Sequence, residues 1–95
     1  MKNLEAIFKG LSYPTRLRVL QMLVSGEQCV CKIQNKIDIS QNLLSHHLAA
    51  LRESGLVNTR KEGKWIYYSI NTKVVKSLHD YLKKYLKAKS GSSPC

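Results

Sequence analysis

The residues of this sequence best suited to chemistry are a pair of cysteines two positions apart, Cys29 and Cys31, in the stretch EQCVCKIQ (residues 27–34). Two thiols that close serve as a redox pair, as half of a soft-metal site, or as packing, since free cysteine is among the most buried residue types. Inside a helix, residues i and i+2 point about 200° apart. The two sulfurs therefore converge only if Cys29 precedes the first helical turn and Cys31 lies within it. Gly26 upstream and a short apolar helix downstream put the boundary about there. A helix N-terminus and the neighbouring Lys32 favour thiolates, and paired thiolates select soft ions over magnesium or calcium. A third cysteine, Cys95, ends the chain, and an odd count suits a disulfide framework poorly. No Gly-rich phosphate loop or acid/base constellation is present, and a thiol oxidoreductase would carry Cys-x-x-Cys beside a βαβ unit. No enzyme is expected.

The charge points elsewhere. Sixteen Lys and Arg against six Asp and Glu give +10 in 95 residues, a surplus that suits a polyanion, either nucleic acid or an anionic membrane surface. No apolar run approaches the roughly 18 residues of a membrane span. The start, MKNLEAIFKGLSYP, carries Glu5 and Lys9 inside its apolar stretch and no small-residue cleavage site, so it does not read as a signal peptide. A cytoplasmic chain with reduced thiols is the expectation. Ninety-five residues suffice for one domain with a modest core, to which dimerisation would add stability.

The elements that must position these groups follow from periodicity. Leu4, Ile7, Phe8 and Leu11 predict a first helix. A second begins at Pro14, carries Leu17, Leu20, Met22, Leu23 and Val24, and ends at Ser25-Gly26. A brief third runs from about Val30 to Ile37. Ser40 is a strong N-cap for the fourth, SQNLLSHHLAALRESG, whose Leu44, Leu48 and Leu51 form an apolar stripe and whose C-cap is Gly55. The period then shortens. Leu56–Lys61 and Lys64–Ile70 predict a two-stranded hairpin turning at Glu62-Gly63. A last helix from about Thr72 to Lys87 carries Val74, Val75, Leu78, Tyr81, Leu82, Tyr85 and Leu86. The fold is thus mainly α with a small β-hairpin, a winged helix-turn-helix in the order α-α-α-α-β-β-α. Residues 1–89 form the domain and residues 90–95 a disordered tail.

In such a fold the N-terminal turns of the recognition helix enter the major groove. Ser40, Gln41, Asn42, Ser45 and His46 offer short polar groups at that end of helix four, in place of the Lys and Glu of an ordinary solvated face. Arg60, Lys61 and Lys64 at the hairpin tip suit phosphates or a minor groove. Adjacent His46 and His47 suit DNA contact or local packing. Lys83, Lys84, Lys87 and Lys89 lie off the expected DNA face and read as solvated.

The run PTRLRVL (residues 14–20), then SQNLLSHHLAALRESGLV (40–57), then GKWIYYSI (63–70), resembles the ArsR/SmtB family of metal-responsive winged-helix repressors, over almost the whole chain. The resemblance implies a homodimer pairing through the first and last helices, an inverted-repeat DNA operator, and release of that operator on binding an inducer. EQCVCKI is similar to the family's ELCVCDL, found in sensors of arsenite and antimonite and of cadmium and lead, which makes Cys29 and Cys31 metal ligands. Helix three is expected to pack on the recognition helix and so pass the signal to it. The arsenite sensors often place a third cysteine one turn further on. That position here is Gln34, so a three-thiolate site would need Cys95. Two other departures are Tyr13, where a small capping residue is usual, and Leu43, where a small polar residue is usual. His79-Asp80 lacks the partners of the family's interfacial zinc site, which are Lys and Ala here. The rival readings are a cysteine redox or sulfur switch on the same repressor and a nucleic-acid-binding module with no switch.

Overall fold

Helix starts and stops in this chain are set by local chemistry, and the computed structural model, which describes residues 4–89 and Gly91, follows most of it. Helices α1 (Leu4–Gly10) and α2 (Pro14–Met22) are joined by a short turn, and α2 runs into a single 3-10 turn, Leu23–Ser25. Strand β1 (Gln28–Cys29) leads into α3 (Val30–Lys36), then α4 (Gln41–Ser54). Strands β2 (Val57–Glu62) and β3 (Trp65–Ile70) follow, then α5 (Thr72–Lys83) with a terminal 3-10 turn, Lys84–Lys87.

Ser40 caps α4 as its sequence predicts: its hydroxyl accepts the Leu43 amide at 3.1 Å. Gly55 ends the helix at φ +84°, the left-handed position that favours glycine. Tyr13 precedes α2 without any side-chain cap, and Pro14 supplies the preset first turn instead.

Two features differ from the sequence reading. The hairpin turns at Gly63-Lys64, because Glu62 pairs with Trp65 and Gly63 takes φ +60°. The sheet has three strands, in the order β1-β3-β2, all antiparallel. The added strand is two residues long, pairing Gln28 with Tyr68 and Cys29 with Tyr67. No alternation can announce a strand that short.

The core gathers Ile7 of α1, Val19 of α2, Ile33 of α3, the α4 stripe Leu44, Leu48 and Leu51, and Leu56, Val57 and Tyr68 of the hairpin. Helix α4 is its centre, packed on α1, α2 and β2. Gly10 permits the α1–α4 approach, since a Cβ there would stand 2.8 Å from the Ser54 hydroxyl. Helix α3 sends Ile33 into the core shared with the α4 stripe and also lies against β3. Helix α5 buries none of its residues. It leaves Val75 and Leu82 exposed, and the 3-10 turn after it leaves Tyr85 and Leu86, as α1 leaves Phe8. No helix among the described residues is long and apolar enough to cross a membrane.

Candidate nucleic-acid interface and cysteine pair

The α4 stripe fixes which residues face out. With Leu44, Leu48 and Leu51 buried, Ser40, Gln41, Asn42, Ser45 and His46 are all exposed at the N-terminal end of the helix, with Leu43 among them. The five polar side chains can reach base edges or phosphates, whereas Leu43 offers only apolar contact.

His47 parts company with His46. It stands at i+3 from Leu44, so helical spacing turns it inward, and it is 6% exposed. Its Nδ1 accepts a hydrogen bond from Nε of Arg16 at 3.1 Å, and Arg16 is equally buried. One terminal guanidinium nitrogen of Arg16 donates to the Lys9 carbonyl at 2.8 Å, and the group lies 4.2 Å from the Tyr13 ring centroid. The Tyr13 ring also meets His47 at 5.5 Å. Tyr13, a departure from a capping residue, thus serves as a lid on a buried polar joint between α1, α2 and α4. Burial, then the Arg16 and His46 charges, hold the His47 imidazole below its ordinary pKa. Neither Arg16 nor His47 stands out as a site residue in the sequence, although the i, i+3 spacing from Leu44 is a usable signal.

The wing cations also divide. Lys61 and Lys64 are exposed and form no ion pair among the described residues, and Lys64 rests 5.3 Å from the Trp65 ring. Arg60, expected to contact DNA, is engaged within the chain. Its Nε and one terminal nitrogen grip both carboxylate oxygens of Glu27, at 3.1 and 2.8 Å, and its other terminal nitrogen meets Glu62. The guanidinium lies over Tyr67. Hydrogen bonding to Arg60 pulls the Glu27 pKa down, and the two carboxylates push that of Arg60 up.

Cys29 and Cys31 meet as their spacing requires. Cys29 is the extended N-cap residue of α3 and Cys31 lies in its first turn, with Cα atoms 5.4 Å apart. The Cys31 amide donates to the Cys29 sulfur at 3.2 Å. The two sulfurs are joined in a disulfide, which corrects the expectation of free thiols. The physical reason is the same straddling of the helix start that would let both thiolates face one ion. Cys31 lines an open cleft of about 460 Å³ between α3 and the wing, with Gln34, Gln41, Lys64 and Trp65 also on its walls. The Gln34 amide nitrogen is taken up by the Ile39 carbonyl, to which it donates at 2.9 Å. Among the described residues, no third Cys, His, Asp or Glu completes a metal-binding group with the pair. Cys95, the expected third thiolate, lies outside the described residues, as do Ser90 and residues 92–95 of the expected tail. Once reduced, the pair offers two soft donors, which fit a thiophilic ion in type. His79 instead sits beside Asp80 at 3.4 Å, and Asp80 pairs with Lys76 one turn earlier.

This division sets a prediction. Gln41→Ala and His46→Ala are expected to cost roughly 1–3 kcal/mol each in preference for operator over random DNA. Lys64→Ala should weaken both complexes alike and flatten the log–log salt slope by about 0.9 for each phosphate left without its cation. Anisotropy titrations at several salt concentrations separate the two behaviours.

Residues 13–59 match the family described as bacterial regulatory protein, arsR family. The chain is 39% identical over 85 residues to the arsenic resistance transcriptional regulator ArsR2 of Pseudomonas putida, spanning 88% of this chain and 74% of that protein. It is 47% identical over 66 residues to the arsenical resistance operon repressor of Escherichia coli, spanning 68% and 56%. A crystal structure of an ArsR family transcriptional regulator superposes with a TM-score of 0.82 at 26% identity, covering 90% of this chain and 89% of that one. With a polar recognition face, a basic wing and these likenesses together, the chain belongs to the ArsR family of winged helix-turn-helix DNA-binding transcriptional regulators.

Proposed function

We infer that this regulator is a homodimeric repressor that releases its DNA operator when a soft metal or metalloid, arsenite or antimonite first and cadmium or lead next, binds the reduced Cys29 and Cys31. The observation that carries this reading is the meeting of the two sulfurs at the start of α3. Two further facts support it: Cys31 lines a cleft whose other walls include Gln41 of the recognition helix and Lys64 of the wing, and relatives bear the name of arsenic or arsenical resistance regulators. Support for pairing comes from the exposed apolar residues of α1 and α5, which no element of the described chain covers. Cys95, from the same or the partner subunit, is the candidate third thiolate. The expected location is the cytoplasm.

Release needs an inducer that prefers the DNA-free conformation, because a ligand of equal affinity for both states shifts nothing. A second reading, in which the dithiol–disulfide state is itself the signal, draws on the Cys29–Cys31 bond. One experiment separates them. Operator binding is measured for reduced protein with and without arsenite, and for protein oxidised to the disulfide. The metal reading expects arsenite to weaken the reduced complex by a factor of about 5–150. It also expects the oxidised protein, which has no thiolate at these positions, to ignore arsenite. Release on oxidation alone, with arsenite inert, would transfer the assignment to the redox switch.

A further inference from the structure

A regulator needs a mechanical path from its sensor to its DNA-reading parts. The expected path runs through the core that Ile33 of α3 shares with Leu44 and Leu48 of α4, and a second path is open because α3 also rests on β3. The cysteine segment is part of the wing sheet. Cys29 in β1 pairs with Tyr67 in β3, and Tyr67 pairs with Arg60 in β2, so the three residues form one row across the sheet. Arg60 stacks on Tyr67, 4.5 Å from its ring centroid, and reaches past it to grip Glu27, two residues before Cys29. The ladder between β1 and β3 is only two residues long. Nothing else of comparable directionality among the described residues ties the cysteine segment to β2, the outer strand of the wing.

An exposed ion pair contributes little to stability in general. This one is different in geometry, with a fork on both carboxylate oxygens and a planar guanidinium seated on an aromatic ring, which fixes orientation as lysine could not. It also occupies, with Glu62, the wing cation best shaped for phosphate. We propose that the Glu27–Arg60 fork is the link that passes the state of the Cys29–Cys31 pair to the wing. It rests on the reading of those cysteines as the sensor. A change at the pair resets the backbone of residues 29–31. Glu27 moves with that segment, and Arg60 carries the outer strand along.

The test uses the reduced 95-residue chain in the parent form and as Glu27→Gln, Arg60→Gln and the double variant, with Cys29→Ser and Cys31→Ser as controls. Three quantities are read: arsenite affinity without DNA, the factor by which arsenite weakens operator binding, and amide hydrogen exchange of β2 with and without arsenite. Glu27→Gln is expected to leave arsenite affinity within about twofold and to cut the release factor by about threefold, the size a well-formed exposed pair supports. The double variant should fall no further than either single one, and the arsenite-dependent change in β2 exchange should vanish in all three. A full release factor in Glu27→Gln, with both cysteine variants silent, overturns the link and leaves the sensor reading standing. Additive losses in the double variant overturn it too. A tenfold loss of arsenite affinity in Glu27→Gln reassigns Glu27 to the ion site and overturns it as well. Cysteine variants that still release DNA overturn the sensor reading, and the link falls with it for want of an input.

Discussion

Cys29→Ser and Cys31→Ser variants are expected to bind operator DNA as the parent chain does and to lose release by arsenite altogether. Neither cysteine is in the buried core, Cys31 is exposed, and neither is among the polar residues that α4 presents. Folding should survive the change for a specific reason. The Cys29 sulfur accepts the Cys31 amide as an N-cap, and a serine hydroxyl is a better acceptor in that position. What serine cannot supply at neutral pH is a thiolate, and the soft ion loses half of its described donor set. A release factor of about 5–150 in the parent should collapse to one. Cys95→Ser divides the site models. A third thiolate from the C-terminal end predicts a loss of metal affinity, and a two-coordinate site predicts none. The measurement is operator anisotropy with and without arsenite for the three variants, with metal stoichiometry by intact mass spectrometry.

Much of the DNA-reading half was legible because its signals are local. Ser40, the Leu44, Leu48 and Leu51 stripe and Gly55 define α4 within sixteen consecutive residues, and every polar residue assigned to its outer face is exposed. The convergence of Cys29 and Cys31 followed from a helix boundary, also a local matter. What stayed hidden depends on partners distant in sequence. Strand β1 exists only through its pairing with Tyr67 and Tyr68, some forty positions away. Arg60 reads as a free cation beside Lys61, until Glu27, 33 residues upstream, is brought against it. Helix α5 turns Val74 and Leu78 against the core but leaves Val75 and Leu82 exposed, and the periodicity that reveals such a stripe cannot say whose surface its outer part meets.

The remaining prediction concerns the buried joint, where one imidazole governs how firmly the recognition helix is seated. His47 accepts from the Arg16 guanidinium through Nδ1, so it must be neutral there, with its own proton on Nε2. Protonation would remove that acceptor and set a second cation against Arg16, with His46 adjacent on the same helix and no carboxylate among the partners described for the joint. The sign of the pH effect follows. The folded pKa is lowered below the value near 6.5 that the unfolded chain shows. Above that value both states are neutral and the joint contributes fully. As the pH falls below it, the unfolded chain takes up the proton first, and stability is lost progressively until the folded pKa is passed. Urea melts at pH 7.5 and 5.5 are therefore expected to show a loss in the parent that is reduced in His47→Asn. That variant retains an acceptor oxygen near the Nδ1 position but cannot titrate. Arg16→Met should lower stability at both pH values by about 1–3 kcal/mol, the cost of leaving a buried acceptor without its donor. The Lys9 carbonyl contributes little to that figure, because the Ser12 hydroxyl already donates to it at 2.7 Å. An equal pH dependence in the parent and in His47→Asn would place the titrating group elsewhere and reduce His47 to packing.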